Sequence, residues 1–231
     1  MTNPVFCALD MPDPAEAATM ALQVAGHVGG IKLGLEFFMA QGPGGIAKAR
    51  PPGLPFFLDV KLHDIPNTVA GALKSLLPLK ADFITIHASG GAAMMRAARD
   101  AAAQAPGARP KLLGVTALTS LDGGDLAAVG QDRDVTAQVV RLAKLAQDSG
   151  LDGVICAPTE ISALRAACGK DFILMVPGIR PSWAAAGDQK RVMTPREAMA
   201  AGATYLVIGR PITAAPDPAD AARKIAEELA G

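Results

Sequence analysis

The sequence predicts a single (β/α)₈ barrel of the TIM type that occupies residues 1–231. Eight short apolar runs recur along the chain, at residues 5–9, 30–33, 56–60, 83–86, 112–116, 153–156, 172–176 and 205–208. They are apolar nearly throughout rather than alternating, which is typical of parallel strands covered by helices. Alanine-rich helical segments separate them, for example at residues 68–77, 92–103, 135–148 and 219–229. No linker-like change in composition interrupts this alternation, so one barrel is the favoured architecture. A doubly wound open sheet is the alternative, because the pattern does not show closure.

Three predicted helices begin with the same signal. Asp13, Thr194 and Asp217 each precede a proline, and an acidic residue stands three positions after each of them. The side-chain oxygen at such a position accepts hydrogen bonds from free amides of the first turn. Proline fits the first helical position, and the acid faces the positive end of the helix. These patterns indicate where helices begin, and we infer no function from them.

The composition excludes several classes of protein. Lysine plus arginine and aspartate plus glutamate both number 22, and this zero net charge argues against a nucleic-acid-binding protein. The uncharged stretch 17–31 spans 15 residues and contains Gln23 and His27, so it is too short and too polar to cross a membrane. The first residues lack the basic region of a signal peptide. Three cysteines without CxxC spacing indicate reduced thiols in a cytoplasmic protein.

The third predicted strand ends in charged residues, which a buried strand does not need. Asp59 and Lys61 are two residues apart, so the alternation of a strand places both on one face, and Asp64 follows in the loop. A solvated turn of mixed charge is the alternative. Polar residues also lie at the ends of neighbouring strands: Asp10, Lys32 and His87. Because parallel strands end at one rim of a barrel, we expect a functional Lys–Asp–Lys–Asp cluster there.

Such a cluster suits one kind of chemistry better than others. A lysine between carboxylates is kept as an ammonium ion, because nearby opposite charge favours the charged form. Lys61 is therefore a poor Schiff-base nucleophile, which needs a neutral amine, and a good proton donor to a carbanion-like centre. A Schiff-base aldolase is accordingly disfavoured.

Glycine and arginine follow the last two predicted strands. Arg180 comes after Pro177-Gly178 at the end of strand seven, and Gly209-Arg210 close strand eight. In many barrels these two loops bind phosphate through backbone amides and a cation. Two connections, 119–134 and 180–194, are long and have no obvious secondary structure, which favours a functional role. Residues 182–189, which include Trp183, are small and weakly polar and are predicted to form a lid.

With these motifs in hand, the sequence strongly resembles the orotidine 5′-phosphate decarboxylase family. The motifs are IKLGLE at 31–36, DVKLHDI at 59–65, PGIR at 177–180 and IGRP at 208–211, with Gln189 in the lid. The DxKxxD segment is shared by related sugar-phosphate barrels, whereas the whole set is specific to the family. The resemblance covers essentially the whole chain.

The resemblance implies a homodimer whose active sites lie at the subunit interface. It implies a catalytic network of Lys32, Asp59 and Lys61 from one chain and Asp64 from the other. It assigns the contacts to substrate as follows: Asp10, Lys32 and Asp64, with Thr68 of the second chain, to the ribose; Thr119 and Gln189 to the pyrimidine; Arg180, Gln189, Gly209 and Arg210 to the phosphate.

The reaction implied is the decarboxylation of orotidine 5′-monophosphate to UMP and CO₂, the last step of pyrimidine nucleotide synthesis, with Lys61 as proton donor. No cofactor motif is present, and neither cofactor nor metal is expected. Two alternatives remain open at this point. One is a related metal-dependent sugar-phosphate decarboxylase or synthase, with Asp59, His63, Asp64 and His87 around Mg²⁺. The other is a nucleotide-binding sensor on a barrel that has lost its activity.

Overall fold

A computed structural model describes residues 3–184 and 193–230 and forms a closed barrel of eight parallel strands. The strands are β1 (Val5–Ala8), β2 (Gly30–Gly34), β3 (Phe56–Leu62), β4 (Phe83–His87), β5 (Lys111–Val115), β6 (Gly153–Ile155), β7 (Ile173–Val176) and β8 (Tyr205–Ile208). Each pairs with the next along the chain, and β8 closes the sheet against β1. The predicted (β/α)₈ barrel is therefore confirmed and the open sheet is excluded.

Helices follow the strands around the outside of the barrel. They are α1 (Pro14–Val24), α2 (Leu35–Ala49), α3 (Pro66–Leu76), α4 (Gly91–Ala102), α5 (Gly123–Ala128), α6 (Val135–Asp148), α7 (Ile161–Cys168), α8 (Pro195–Ala201), α9 (Arg210–Thr213) and α10 (Pro218–Ala230). Among the described residues, none of the helices combines the length and apolar character that a membrane crossing requires.

The capping signals act as predicted. The Asp13 side chain accepts from the amides of Ala15 and Glu16 at the start of α1. Thr194 and Glu197 form a reciprocal capping box at the start of α8. These bonds satisfy amides that have no partner within the helix.

The inside of the barrel below its mouth is filled by aromatic and aliphatic side chains. Phe6 and Phe83 lie with ring centroids 5.4 Å apart, and Phe83 and Tyr205 lie 5.2 Å apart. Phe57 packs edge-on against both Phe6 and Phe83. Leu113, Met175 and Val207 complete this cluster, which we call the aromatic floor. The floor separates the polar groups at the carboxyl ends of the strands from those at the amino ends, where the Lys111 ammonium lies 5.8 Å from the centre of the Phe83 ring.

Strand β3 does not pair regularly with β4. Leu58 lies opposite Ile84, but Leu62 lies opposite Ile86, so four residues along β3 correspond to two along β4. This β-bulge contains Asp59 and Lys61. Bulges bend a strand and redirect side chains, and they are frequent next to active sites. The sequence predicted a regular strand here, and regular alternation alone does not account for the position of Lys61.

One long connection differs from its prediction. Segment 119–134 was expected to lack secondary structure, but it contains the short helix α5. Asp122 begins that helix, because its side chain accepts from the amides of Gly124 and Asp125 in a capping box. The other connection, 180–194, includes residues 185–192, which lie outside the described residues together with Gln189 and most of the predicted lid.

Candidate active site

The carboxyl ends of the strands surround a cavity of about 280 Å³. The predicted site residues that border it are Asp10, Lys32, Asp59, Lys61, Thr119, Arg180, Gly209 and Arg210. They lie in or follow six of the eight strands, as expected for a barrel whose chemistry lies at this rim. Apolar side chains border the same cavity: Ala8, Phe57, Val115, Ala117, Leu118, Ile155, Ile179 and Val207.

Asp59 lies at the centre of a row of alternating charges. The Lys61 Nζ atom is 2.8 Å from Oδ2 of Asp59, and the Lys32 Nζ atom is 3.7 Å from the same oxygen. Lys32 also donates to Oδ1 of Asp10 at 3.1 Å. The Lys32 and Asp59 side chains are only 10% and 13% exposed. The buried Lys32–Asp59 part of the row is screened less by water than a surface ion pair is, whereas the Asp10 side chain is 61% exposed.

The environment of Asp59 favours its carboxylate form. Burial alone raises the pKa of this carboxyl, since desolvation penalises charge. Lys32 and Lys61 lower the pKa, as do hydrogen bonds from the Lys61 ammonium and the Thr85 hydroxyl. Together these outweigh burial, so the pKa of Asp59 falls below its ordinary value of 3.8. Asp59 is therefore negatively charged at neutral pH.

Lys61 has an unusual backbone conformation. Its φ is +48°, in the left-handed region that non-glycine residues seldom enter. This conformation costs about 1–2 kcal/mol for a residue with a Cβ atom. It lies within the bulge of β3, and the Lys61 N–H donates to the Thr85 hydroxyl at 2.9 Å. The strained backbone belongs to the residue that provides the ammonium of the site.

Gly34 gives the Lys32 ammonium the room it occupies. A Cβ atom at this position would lie 3.2 Å from Lys32 Nζ and 3.5 Å from Oδ1 of Asp10. A side chain there would press on the ion pair between the two residues.

The residues expected from the second subunit lie outside the cavity of their own chain. Asp64 and Thr68 are exposed and do not border the cavity. The nearest partner of Asp64 is the amide of Ile65, which donates to Oδ1 at 2.6 Å. Among the described residues, Asp64 forms no ion pair with Lys32 or Lys61. One chain alone therefore does not assemble the full set of residues that the family resemblance assigns to a site.

Two histidines stack beside the site. The rings of His63 and His87 have centroids 5.1 Å apart and an interplanar angle of 28°. Burial, followed by the nearby His63 and Lys61, lowers the pKa of His87 below its ordinary value of 6.5. His87 is therefore uncharged at neutral pH. Within residues 3–184 and 193–230, no group of three or more His, Cys, Asp or Glu side chains is arranged to hold a metal.

The cysteines are free and buried. Cys156 borders the cavity. Burial and the nearby Glu160 raise the pKa of its thiol well above the ordinary value of 9.0. Its thiol is therefore protonated and poorly suited to act as a nucleophile.

Sequence analysis missed Thr85 and the apolar border of the cavity. Thr85 is wholly buried, and its hydroxyl bonds both Asp59 and the Lys61 backbone. The available signal was its place in β4, where alternation puts it on the same face as Phe83 and His87. Val115 and Ile155 could have been found in the same way, from their positions at strand ends.

The fold and the site define a class of protein, a (β/α)₈ barrel with an ion-paired lysine cluster and two arginines at its mouth. The model of the orotidine 5′-phosphate decarboxylase / HUMPS family matches residues 3–225. The chain belongs to this family.

The similar proteins compared here are named orotidine 5′-phosphate decarboxylase. The chain is 56% identical to orotidine 5′-phosphate decarboxylase of Paramagnetospirillum magneticum, over 99% of both proteins. It is 54% identical to the protein of that name from Rhodospirillum rubrum, over 99% of this chain and 95% of that protein. A crystal structure of orotidine 5′-phosphate decarboxylase from Lactobacillus acidophilus superposes with a TM-score of 0.87. That chain is 38% identical, and the match covers 99% of this chain and 100% of the other.

Proposed function

We propose that this chain converts orotidine 5′-monophosphate to UMP and CO₂ without a cofactor. The observation that carries the proposal is the Lys61 ammonium, held 2.8 Å from Asp59 in a cavity that Arg180 and Arg210 also border. Relatives over nearly the full chain length, at up to 56% identity among those compared, bear the name of this activity. The family model carries a second name, HUMPS, beside that of the decarboxylase, so the chemistry of the site has to support the decarboxylase assignment.

In this proposal Lys61 supplies a positive charge beside C6 and then a proton. When the bond between C6 of the pyrimidine and its carboxyl group breaks, CO₂ leaves and the electron pair stays on C6. A fixed ammonium beside C6 lowers the energy of this developing negative charge. Lys61 then transfers a proton from Nζ to C6, which completes UMP and leaves a neutral amine that solvent reprotonates.

Asp59 fixes the direction of the Lys61 side chain and keeps it charged. Its Oδ2 atom accepts from Lys61 and faces Lys32, so it holds both cations in one row. Its negative charge also lies beside the substrate carboxylate in this proposal, where repulsion favours the loss of CO₂. Asp10 and Lys32 bind the ribose, and Thr119 lies beside the pyrimidine.

The phosphate lies at the arginine side of the cavity. Arg210 and Arg180 bind its oxygens through charge-assisted hydrogen bonds, and the backbone at Gly209 approaches it closely. Gln189, which lies outside the described residues, is proposed to contact both phosphate and pyrimidine. Binding energy from this remote group is available to lower the barrier at C6.

A second copy of the chain completes each site in this proposal. The partner's Asp64 and Thr68 reach the ribose and the lysine cluster. Supporting this, both residues are exposed and away from the cavity of their own chain. Three apolar side chains near the same rim are also exposed: Leu35 at 43%, Met39 at 74% and Ile65 at 67%. A homodimer would bury them, and we place this homodimer in the cytoplasm.

One assay separates the candidate activities. Purified protein is incubated with orotidine 5′-monophosphate, and CO₂ release and the loss of substrate absorbance are followed with and without exhaustive EDTA treatment. We expect rapid CO₂ release that EDTA does not change. Activity that EDTA abolishes would point to a metal-dependent synthase, and binding without turnover would point to a nucleotide sensor.

A further inference from the structure

Thr85 is part of the charged row but has no role in the function proposed so far. It is fully buried in β4, with Phe83 of the aromatic floor on one side and His87 at the rim on the other. Its hydroxyl donates to Oδ1 of Asp59 at 2.9 Å. The same hydroxyl accepts from the Lys61 N–H, also at 2.9 Å.

The direction of these two hydrogen bonds is fixed by chemistry. A backbone N–H can only donate, so the hydroxyl oxygen must accept from Lys61. An ionised carboxylate can only accept, so the single hydroxyl proton must point to Asp59. Thr85 therefore connects the backbone of the lysine to the carboxylate that binds the ammonium of that same lysine.

The bulge in β3 explains why a side chain is needed here. Leu58 pairs with Ile84 and Leu62 with Ile86, and between these pairs the regular ladder is interrupted. The Lys61 amide bonds the Thr85 hydroxyl where a regular strand would use a carbonyl of the neighbouring strand. This bond supports the left-handed backbone of Lys61, whose φ is +48°.

The two oxygens of Asp59 have different partners. Oδ1 accepts from Thr85, and Oδ2 binds Lys61 at 2.8 Å and faces Lys32 at 3.7 Å. With one oxygen held by a rigid, buried strand, the other has a defined direction. A carboxylate held at only one oxygen could rotate and take the ammonium with it.

We propose that Thr85 is a positioning residue for catalysis, whose hydroxyl sets both the Lys61 backbone and the Asp59 carboxylate so that the ammonium points at the reacting carbon. This role rests on the proposed decarboxylation. The hydroxyl of Thr85 bonds the Lys61 backbone and Asp59, and Thr85 is not itself a proton donor to substrate.

Three variants test the role of the hydroxyl. Thr85→Val keeps the shape of the side chain and removes the hydroxyl. Thr85→Ser and Thr85→Ala both lose the methyl group and differ from one another only in the hydroxyl, so this pair answers the question even if the valine variant does not fold. Thr116→Val is the matched control, because Thr116 is also buried in the barrel but donates to the Ile155 carbonyl.

The kinetic outcome should follow the hydroxyl. We expect kcat to fall about 10- to 100-fold in Thr85→Val and Thr85→Ala, because a hydrogen bond to a charged group is lost, with a much smaller change in KM. Thr85→Ser should stay within about threefold of the wild type, and Thr116→Val should do the same. Equal kcat values in Thr85→Ser and Thr85→Ala would overturn the proposal.

A second readout needs no turnover. The Asp59 carboxyl is titrated by carbon-13 NMR in substrate-free protein, with Asp59→Asn to assign its signal. Its pKa should rise in Thr85→Val and Thr85→Ala, and stay near the wild-type value in Thr85→Ser. The charged groups that also act on Asp59 are Lys32 on β2, Lys61 on β3 and, through Lys32, Asp10 after β1; the titratable group nearby is His87 on β4. All of them are unchanged in these variants.

The two readouts distinguish the failure of this inference from failure of the proposed function. If the wild type releases no CO₂, the decarboxylation fails, while the NMR titration still reports whether Thr85 holds Asp59. If the wild type is active but the pKa of Asp59 is the same in all variants, the role of Thr85 is wrong.

Discussion

At the level of single residues, the arrangement of the site depends on how many groups share Asp59. Its carboxylate binds Lys61, faces Lys32 and accepts from Thr85, and it is almost fully shielded from water. For a buried carboxylate with only one cation, the free-energy cost of desolvation can exceed the gain from the ion pair. Two cations and a hydroxyl reverse this balance, which is why the pKa of Asp59 is lowered despite its burial.

The first prediction concerns Lys61. Lys61→Ala should lower kcat by more than the roughly 10²- to 10⁴-fold typical of a lost general acid, because the variant also loses charge stabilisation at C6. Turnover is followed by the absorbance change of the substrate. Lys48→Ala, which removes an exposed lysine of α2, is the control and should be unaffected. Near-normal turnover in Lys61→Ala would end the assignment of Lys61 as proton donor.

The second prediction concerns the charge of Asp59 and protein stability. Because its folded pKa lies below 3.8, Asp59 contributes stability that is present above that value and is lost as the pH falls through the folded pKa. The free energy of unfolding of wild type minus Asp59→Asn should therefore be largest near neutral pH and shrink on acidification. Urea unfolding from about pH 7 to about pH 3 measures it.

Asp100→Asn is the control for this series, since the Asp100 side chain is 65% exposed and pairs with Arg99 at the surface. Its difference from the wild type should be small at every pH. A pH-independent difference for Asp59→Asn would contradict an ionised, ion-paired Asp59.

At the level of elements, apolar runs and caps sufficed to predict most of the barrel from sequence. All eight strands lie within two residues of their predicted limits, and α6 has the predicted bounds Val135–Asp148. This succeeds because a strand buried on both sides must be apolar throughout, and because proline after a capping residue marks a helix start.

Two elements were not predicted, a bulge that depends on a tertiary contact and a short helix that depends on a local cap. The β3 bulge is stabilised by Thr85, which is 24 residues from Lys61 in the chain. Helix α5 is only six residues long and depends on the capping box of Asp122 rather than on an apolar stripe. The polar residues that border the cavity of one chain could be located from sequence because they lie in or just after strands, but the buried Thr85 behind them was missed, and Gln189 lies outside the described residues. The role of Asp64 and Thr68 came from family resemblance alone.

The third prediction concerns a helix cap. Asp13→Ala should lower the free energy of unfolding by about 0.5–2 kcal/mol, because two amides of α1 lose their acceptor. Urea unfolding measures this change, and kcat/KM should stay at the wild-type value because α1 starts away from the cavity. Asp13→Ser keeps a capping oxygen and should recover most of the loss. An equal loss in both variants would argue against the cap.

At the level of the whole molecule, the residues that we propose for phosphate binding and for chemistry come from different parts of the barrel. The lysine cluster comes from β2 and β3, whereas the arginines follow β7 and β8. The substrate must span the mouth to reach both, so energy gained at one side of the cavity can be used at the other.

The fourth prediction tests this division. Arg210→Ala should lose much of its kcat/KM for the phosphorylated substrate, and added guanidinium should restore part of it because the cation is replaced. In the wild type, phosphite dianion should accelerate turnover of a truncated substrate that lacks the phosphate, and it should do so less in Arg210→Ala. Arg96→Ala, at an exposed position on α4, is the control. An unchanged kcat/KM in Arg210→Ala would refute its role.

The fifth prediction tests the shared site. Lys61→Ala and Asp64→Asn should each be inactive, but a refolded equal mixture should recover about one quarter of wild-type activity. The reason is that half of the dimers are hybrids and each hybrid has one intact site.

A mixture of Lys61→Ala with Lys32→Ala is the matched control, because both residues border the cavity of their own chain and every hybrid site keeps one defect. This control should stay inactive. If the mixture with Asp64→Asn is equally inactive, Asp64 acts within its own chain or not at all.

The aromatic floor has a consequence for how a catalytic cycle ends. Phe6 and Phe57 are 2% and 1% exposed, so among the described residues their rings fill the inside of the barrel below the cavity. A gas molecule released above these rings and the nucleotide that remains must both depart by the opening through which the substrate came in. In the proposed reaction, the order and speed of product escape are therefore decided at the rim.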